Sequence, residues 1–278
     1  MVTCCITGSN GFIGQHLVKR LQKDGVNLIN LTHDVLEDGN EVRKIFINYK
    51  PQIVYNLQAY GNHSTQLDDY DAIRSNIVFT HNLALIARDT GVQTFVQFGS
   101  SSEYGRKMEP MKETDVLEPV TMYGATKSAA TTMTLSMQTP QFKVVIIRPF
   151  SVYGPGEADF RFIPTIVRCL QNKEVLTLDS MAVHDWIYID DFVDGVLLAT
   201  QSKENIVNIG TGVQLANIQI YRFISKIMGK STKIKEKHLR SFDGSSWVAD
   251  NTRLKSLGWL PKHDIIDGLK HTIAYYVS

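Results

Sequence analysis

The sequence has no apolar run approaching the ~20 residues that a membrane-spanning helix needs, which predicts a chain that does not cross a bilayer. Its cysteines number only three, Cys4, Cys5 and Cys169, and two of them are neighbours in one apolar stretch. An odd, adjacent set is a poor disulfide framework, so buried free thiols in a reducing, cytoplasmic setting are expected. Neither sign of charge is in excess: 29 Lys and Arg stand against 28 Asp and Glu, for a net +1. That balance argues against nucleic acid or a membrane surface as a partner. The basic residues Lys230, Lys233, Lys235 and Lys237 are interrupted by Glu236 and read as a solvated edge. The eight histidines show no paired metal-ligand spacing, so no metal site is expected. Repeats, low-complexity stretches and obvious linkers are absent, as is an N-terminal basic region followed by an apolar stretch and a cleavage site.

What is present is an ordinary composition for an enzyme: 278 residues, 43% hydrophobic and 21% charged. That length allows one α/β body, or such a body with a smaller lobe. The chain opens on an apolar run, residues 1–6, followed by Thr7-Gly8-Ser9-Asn10-Gly11-Phe12-Ile13-Gly14 and then Ile13, Leu17 and Leu21 at helical spacing. A glycine turn therefore joins a strand to a helix. Gly8 permits the turn, Gly11 lets backbone N–H groups approach a diphosphate, and Gly14 lets helix and strand pack closely. The helix N-terminus then aims its positive end at that diphosphate. Further strands are predicted at 26–31, 51–57, 95–98 and 143–147, with helices at 41–49, 72–88 and 123–137. Strand–helix alternation implies a doubly wound parallel sheet. Beyond Pro149 the pattern loosens into helical pieces at 162–170, 192–199 and 218–228 with short strands between them. Residues 1–150 are therefore expected to form a dinucleotide-binding domain that also receives segments near 181–212, and 151–278 mainly a smaller lobe.

Two stretches carry chemistry. Tyr123 and Lys127 stand four apart on one helix face. A phenol with a pKa of about 10 is a poor acid–base group at neutral pH, and a neighbouring ammonium favours its phenolate. The pair can then exchange a proton with a carbonyl or alcohol. Gly99-Ser100-Ser101-Ser102-Glu103-Tyr104-Gly105 follows the fourth strand, at the carboxyl end where open parallel sheets place their sites. A serine there can hydrogen-bond a substrate oxygen.

Glycine turn, strand-end serine and Tyr-x-x-x-Lys, in that order, resemble the extended short-chain dehydrogenase/reductase family of nucleotide-sugar epimerases, dehydratases and ketoreductases. The resemblance continues through residues 148–156, 184–191, 208–212, and 249–254 with 257–259. It implies a Rossmann-like fold whose C-terminal lobe binds a nucleotide sugar. It implies Tyr123 as general acid/base, Lys127 as its partner and Ser101 as the third member, with Ser100 and Ser102 open alternatives. Gly8, Asn10, Gly11, Phe12, Ile13, Gly14, Asp34, Leu57, Gln58, Ala59, Tyr123, Lys127 and Pro149 would contact the dinucleotide. Tyr60, Glu103, Phe150, Ser151, Arg161 and Arg240 would face the substrate. The resemblance also implies a homodimer paired through the helices at 72–88 and 123–137, with Ile77, Leu83, Met133 and Met137 as candidates for the seam.

Three chemistries share such a site: ketone reduction, 4-epimerisation and 4,6-dehydration. Ser102-Glu103 resembles the extra acid–base pair of the dehydratases. However, residues 58–63 are similar to the reductases that make CDP-paratose, and 99–105 to GDP-4-keto-6-deoxymannose reductases. The expectation is an NAD(P)H-dependent reductase of a nucleotide-linked 4-keto-6-deoxysugar, with 4-epimerase or 4,6-dehydratase as the alternative and a non-catalytic NADP-binding module behind both. No carboxylate ends the second strand, where Asn30, Thr32 and His33 stand instead, which tolerates a 2′-phosphate and leans towards NADP over NAD. No arginine is there to grip that phosphate. Ser151 and His184 stand where relatives often carry asparagine and arginine.

Overall fold

The computed structural model describes residues 2–61, 65–237 and 246–278. They form two compact units, one of residues 1–105, 115–149 and 195–207, the other of 106–114, 150–194 and 208–278.

The first unit carries the sheet. Its strands are β1 (Thr3–Thr7), β2 (Asn27–Leu31), β3 (Ile53–Asn56), β4 (Thr94–Phe98) and β5 (Lys143–Pro149). With β9 (Ile206–Ile209) they lie in the order β2-β1-β3-β4-β5-β9. The pairings of β1 with β2 and β3, of β3 with β4 and of β4 with β5 are all parallel. Parallel strands are covered on both faces and read as continuous apolar runs. Val144, Val145, Ile146 and Ile147 are accordingly all buried. One face packs on α3 (Gly39–Tyr49) and α5 (Thr80–Asp89), where Cys5, Val54, Phe95 and Ile146 meet Phe46 and Ala84. All three cysteines are free and buried, and burial pushes the Cys4 thiol up to about 11.

The crossings differ from their sequence patterns in two places. The predicted single helix over 72–88 is α4 (Asp69–Ile73), a π-helical segment Arg74–Phe79, and α5. The apolar period hides the wider turn, and π segments gather at functional sites. The chain also runs from β2 into a short helix, α2 (His33–Glu37), with only Thr32 between them. Helix α1 (Phe12–Lys23) and helix α6 (Met122–Ser136) match their periodicity closely.

In the second unit β6 (Ser151–Tyr153), β8 (Val183–Tyr188) and β10 (Gln214–Ala216) form a small mixed sheet with β8 in the middle. A second pair joins β7 (Leu176–Leu178) to β11 (Ile234–Glu236). Helices α7 (Phe162–Asn172), α9 (Asn217–Met228) and α11 (Ile265–Val277) pack on one another. Buried Asp185 ties the loops together, accepting from Thr211 N at 2.7 Å, Gly212 N at 2.9 Å and Ala249 N at 3.1 Å. Helix α8 (Ile189–Gln201) and a short α10 (Thr252–Ser256) complete the described elements.

The glycine turn is built by close approach. Gly8 has φ +66°, and a Cβ at Gly14 would lie 2.1 Å from the Gly8 carbonyl oxygen. Backbone cannot yield as a side-chain tip can. We expect Gly14→Ala to lower the unfolding free energy by about 1–3 kcal/mol, as overpacking does. Chemical denaturation reads this directly, and an unchanged midpoint would remove the packing argument.

Candidate active site

The site grows from the carboxyl ends of β1, β3 and β4. At the end of β1, helix α1 begins with Gly11 as N-cap, with no side-chain cap and no acid in its first turn. Its first N–H groups are therefore left for an anion. A Cβ at Gly11 would meet only the Gly8 oxygen, at 3.3 Å, so the turn is open on that side. Phe12 and Ile13 open the helix, and Asn10 lends its carbonyl to Gln15 Nε2 at 2.8 Å. These residues fit a dinucleotide diphosphate on geometric grounds.

Beneath the turn runs a buried polar chain. Thr7 Oγ1 donates to Asn56 Oδ1 at 2.6 Å, and Asn56 Nδ2 donates to Gln97 Oε1 at 2.7 Å and to Thr80 Oγ1 at 3.1 Å. Gln58 N donates back to Thr7 Oγ1 at 3.2 Å, and its side chain reaches Ser75 Oγ at 3.1 Å. Next along the loop, Asn76 grips Tyr60 from both sides, accepting from Tyr60 N and donating to Tyr60 O, each at 2.8 Å. Asn76 Nδ2 also donates to Thr126 Oγ1 at 2.9 Å, and Thr126 Oγ1 donates to Tyr123 O at 3.0 Å. The loop of Leu57, Gln58, Ala59 and Tyr60 is thus fastened to helix α6, which carries Tyr123. Buried polar groups must be paired, and a satisfied network fixes one arrangement.

Helix α6 starts at Thr121, whose hydroxyl accepts from Gly124 N at 3.0 Å. A Cβ at Gly124 would come within 2.5 Å of the Ser102 carbonyl, so helix and serine turn touch through a glycine. The buried face is Gly124, Thr126, Lys127, Ala130, Thr131 and Thr134, at helical spacing. Lys127 is 1% exposed. Burial lowers its pKa to about 8, and the nearby Glu103 carboxylate opposes that fall. Tyr123 is half-buried one turn earlier on the same stripe.

The serine turn is a short 3₁₀ segment, Ser101–Glu103. Ser100 Oγ accepts from Ser102 N at 3.1 Å, which leaves its own hydrogen to donate. Ser100 and Ser101 are both buried. Glu103 is 0% exposed and was expected to face substrate; the structure corrects this. Its Oε1 accepts from Ser100 N at 2.8 Å and Thr131 Oγ1 at 3.1 Å, and its Oε2 from Arg148 Nε at 3.0 Å. Arg148, 2% exposed, also donates to Tyr104 OH at 2.8 Å. Burial pushes the Glu103 carboxyl up, and Arg148 foremost pulls it back.

The other expected residues are spread more widely. Asp34 is exposed in the first turn of α2, and Pro149 ends β5. Arg74, from the π segment, meets α2: its Nη2 lies 2.9 Å from Glu37 Oε1, which is 3.7 Å from His33 Nδ1. Phe150, Ser151 and Arg161 belong to the second unit. Phe150 N donates to Ile209 O at 3.1 Å, Ser151 pairs in register with Trp186, and Arg161 caps α7 with its guanidinium over Phe160. His184 stands edge-on to Trp186 at 5.5 Å. Arg240 lies outside the described residues. Sequence reasoning missed Asn56, Asn76, Gln97, Thr131 and Arg148; the polar letters inside otherwise apolar strands at 56 and 97 were the available signal. Among the described residues no cluster suits a metal ion, and no helix is long and apolar enough to cross a membrane.

The family model "NAD dependent epimerase/dehydratase family" matches residues 4–210. The chain is 29% identical to a UDP-glucuronate 4-epimerase of Thermodesulfobacterium geofontis, over 96% of this chain and 94% of that protein. It is 23% identical to the human dTDP-D-glucose 4,6-dehydratase, over 98% and 89%. Among solved structures, MoeE5 in complex with UDP-glucuronic acid and NAD superposes with a TM-score of 0.88 at 26% identity, covering 98% of both chains.

Arg148 and Glu103 are a buried pair whose halves cannot stand alone. Arg148→Met should cost about 3–5 kcal/mol, because the buried carboxylate loses its hydrogen-bonded partner. Urea unfolding checks this, and an unchanged midpoint would refute it.

Proposed function

This chain belongs to the NAD dependent epimerase/dehydratase family, and from that premise we propose that it is a nucleotide-sugar 4-epimerase. The observation that carries C4 redox chemistry is the stripe of Tyr123 and buried Lys127 on α6, set against the serine turn and fastened to the loop after β3; the sealed Glu103 and the named relatives turn it towards epimerisation. A dinucleotide on the glycine turn would be held by Gly8, Gly11 and the α1 N-terminus at its diphosphate, with Lys127 at a ribose hydroxyl. Bound there, it supplies a hydride acceptor and donor for C4 of the sugar. Tyr123, as phenolate, takes the proton of the 4-hydroxyl and later returns it to the 4-keto oxygen. The Lys127 ammonium lowers the cost of that phenolate. A serine hydroxyl, from Ser100 or Ser101, donates to the same oxygen and steadies developing charge.

The sealed carboxylate of Glu103 weakens the dehydratase alternative, since elimination needs an accessible second acid–base pair. The reductase expected from residues 58–63 and 99–105 stands second. The direct passage from β2 to α2, with no carboxylate ending the strand, favours it, because that tolerates a phosphorylated ribose. The named relatives, an epimerase and a dehydratase, favour redox-neutral chemistry. The test offers nucleotide hexoses without added reductant and, separately, nucleotide 4-keto-6-deoxysugars with NADPH and NADH. Inversion at C4 with no net nicotinamide consumption supports the epimerase; stoichiometric consumption with the keto sugar replaces it with the reductase. In either case Tyr123→Phe should lose on the order of 100-fold or more in kcat with little change in dinucleotide affinity. Retained turnover would remove Tyr123 from the chemistry.

A homodimer is part of the proposal. Leu83, expected at the seam, is 3% exposed in the chain's own core. Tyr70, Ile73, Val78 and Met122 are the exposed apolar residues of the same helices and take its place. Light scattering at micromolar concentration should give twice the chain mass, and a Val78→Asp variant should give one chain mass; a monomeric wild type would contradict this.

A further inference from the structure

We propose that Glu103 is a positioning residue: a buried counter-ion that keeps Lys127 charged and holds the serine turn against it. The inference rests on the reading of Tyr123 and Lys127 as the proton-transfer pair. One carboxylate touches three elements. Its Oε1 binds the backbone of Ser100 at 2.8 Å and the hydroxyl of Thr131 at 3.1 Å, one helical turn beyond Lys127 on the same face. Its Oε2 binds Arg148 on β5 at 3.0 Å. The fit leaves no slack, since a Cβ at Gly99 would lie 2.2 Å from Oε1.

The charged groups acting on this carboxylate are Arg148 from β5 and Lys127 from α6, and Tyr104, at the end of the serine turn, accepts from Arg148. Two buried cations thus share one buried anion. An ammonium out of water loses its proton readily unless an anion stands nearby. Without Glu103, Lys127 would keep only the burial that lowers its pKa and would lose its proton at lower pH. A neutral amine no longer favours the Tyr123 phenolate, so the effect would reach the chemistry without Glu103 meeting substrate. Removing the charge should therefore move the alkaline limb of the kcat profile to lower pH while leaving KM nearly unchanged.

Two variants separate charge from shape. Glu103→Gln keeps the reach and loses the charge; Glu103→Asp keeps the charge and loses the reach. The Nζ of Lys127, assigned with Lys127→Met, is titrated by nitrogen NMR in the dinucleotide-free chain. We expect a wild-type midpoint near about 8, a fall of roughly one unit or more in Glu103→Gln, and under half that in Glu103→Asp. An unmoved midpoint in Glu103→Gln, or an equal fall in both variants, overturns the inference. Should Glu103→Gln not fold, the same coupling is read from the other side, because linkage is reciprocal. Lys127→Met should then raise the pH at which the Glu103 carboxyl protonates, followed by carbon NMR; no rise overturns the inference. Turnover retained in Tyr123→Phe would sink the catalytic reading alone, since the Lys127 titration does not depend on it.

Discussion

An ammonium with almost no water around it is the constraint on which this molecule is built. Lys127 is placed on the inner stripe of α6 by the same period that buries Gly124, Ala130 and Thr134. Moving such a charge out of water costs several kcal/mol, which packing alone does not return. An anion must come with it, and Glu103 arrives from the turn after β4. That anion must in turn be hydrogen-bonded on every side, and Ser100, Thr131 and Arg148 do so. Arg148 then has a donor to spare, which Tyr104 accepts. Four side chains and one backbone N–H are thereby set in place by the demand of a single lysine.

A second buried system sets the distance between cofactor turn and helix. Thr7, Asn56 and Gln97 join neighbouring strands below the glycine turn, and Asn76 joins the loop after β3 to α6. Asn76 stands inside the π-helical segment, and the wider turn there falls where the helix must offer polar side chains inward. Hydride transfer and proton transfer at one carbon need their partners held together within fractions of an ångström. A fully paired polar chain supplies that order, because any shift leaves a buried donor or acceptor unsatisfied.

In the family, epimerisation, dehydration and reduction begin from the same proton-transfer pair. What separates them is what else can reach the sugar. Here the carboxylate that follows the serines is turned inward and consumed by structure. That single placement moves the balance away from elimination, although its neighbouring letters, Ser102-Glu103, resemble those of the dehydratases. An acid is a catalyst only where its oxygen atoms are exposed to the reacting group.

The sequence by itself determined the alternation of strands and helices, the glycine turn, and the placing of Tyr123 and Lys127 one turn apart on a single helix. Each of these rests on spacing along the chain, and spacing is local: a period of two or near four fixes a face without knowledge of any partner. The short strands of the second unit and its C-terminal helix α11 were less legible, because a three-residue strand has no period to show. What only the tertiary structure decided was the fate of polar side chains. Glu103 read as a substrate contact because nothing near it in sequence says that Arg148, 45 residues on, will claim it. Arg74 carries no mark in the sequence, because its approach to Glu37 spans 37 residues and a crossover. Long-range pairing of buried charge follows from which strand ends are neighbours, and that is settled by the sheet order rather than by any stretch of letters.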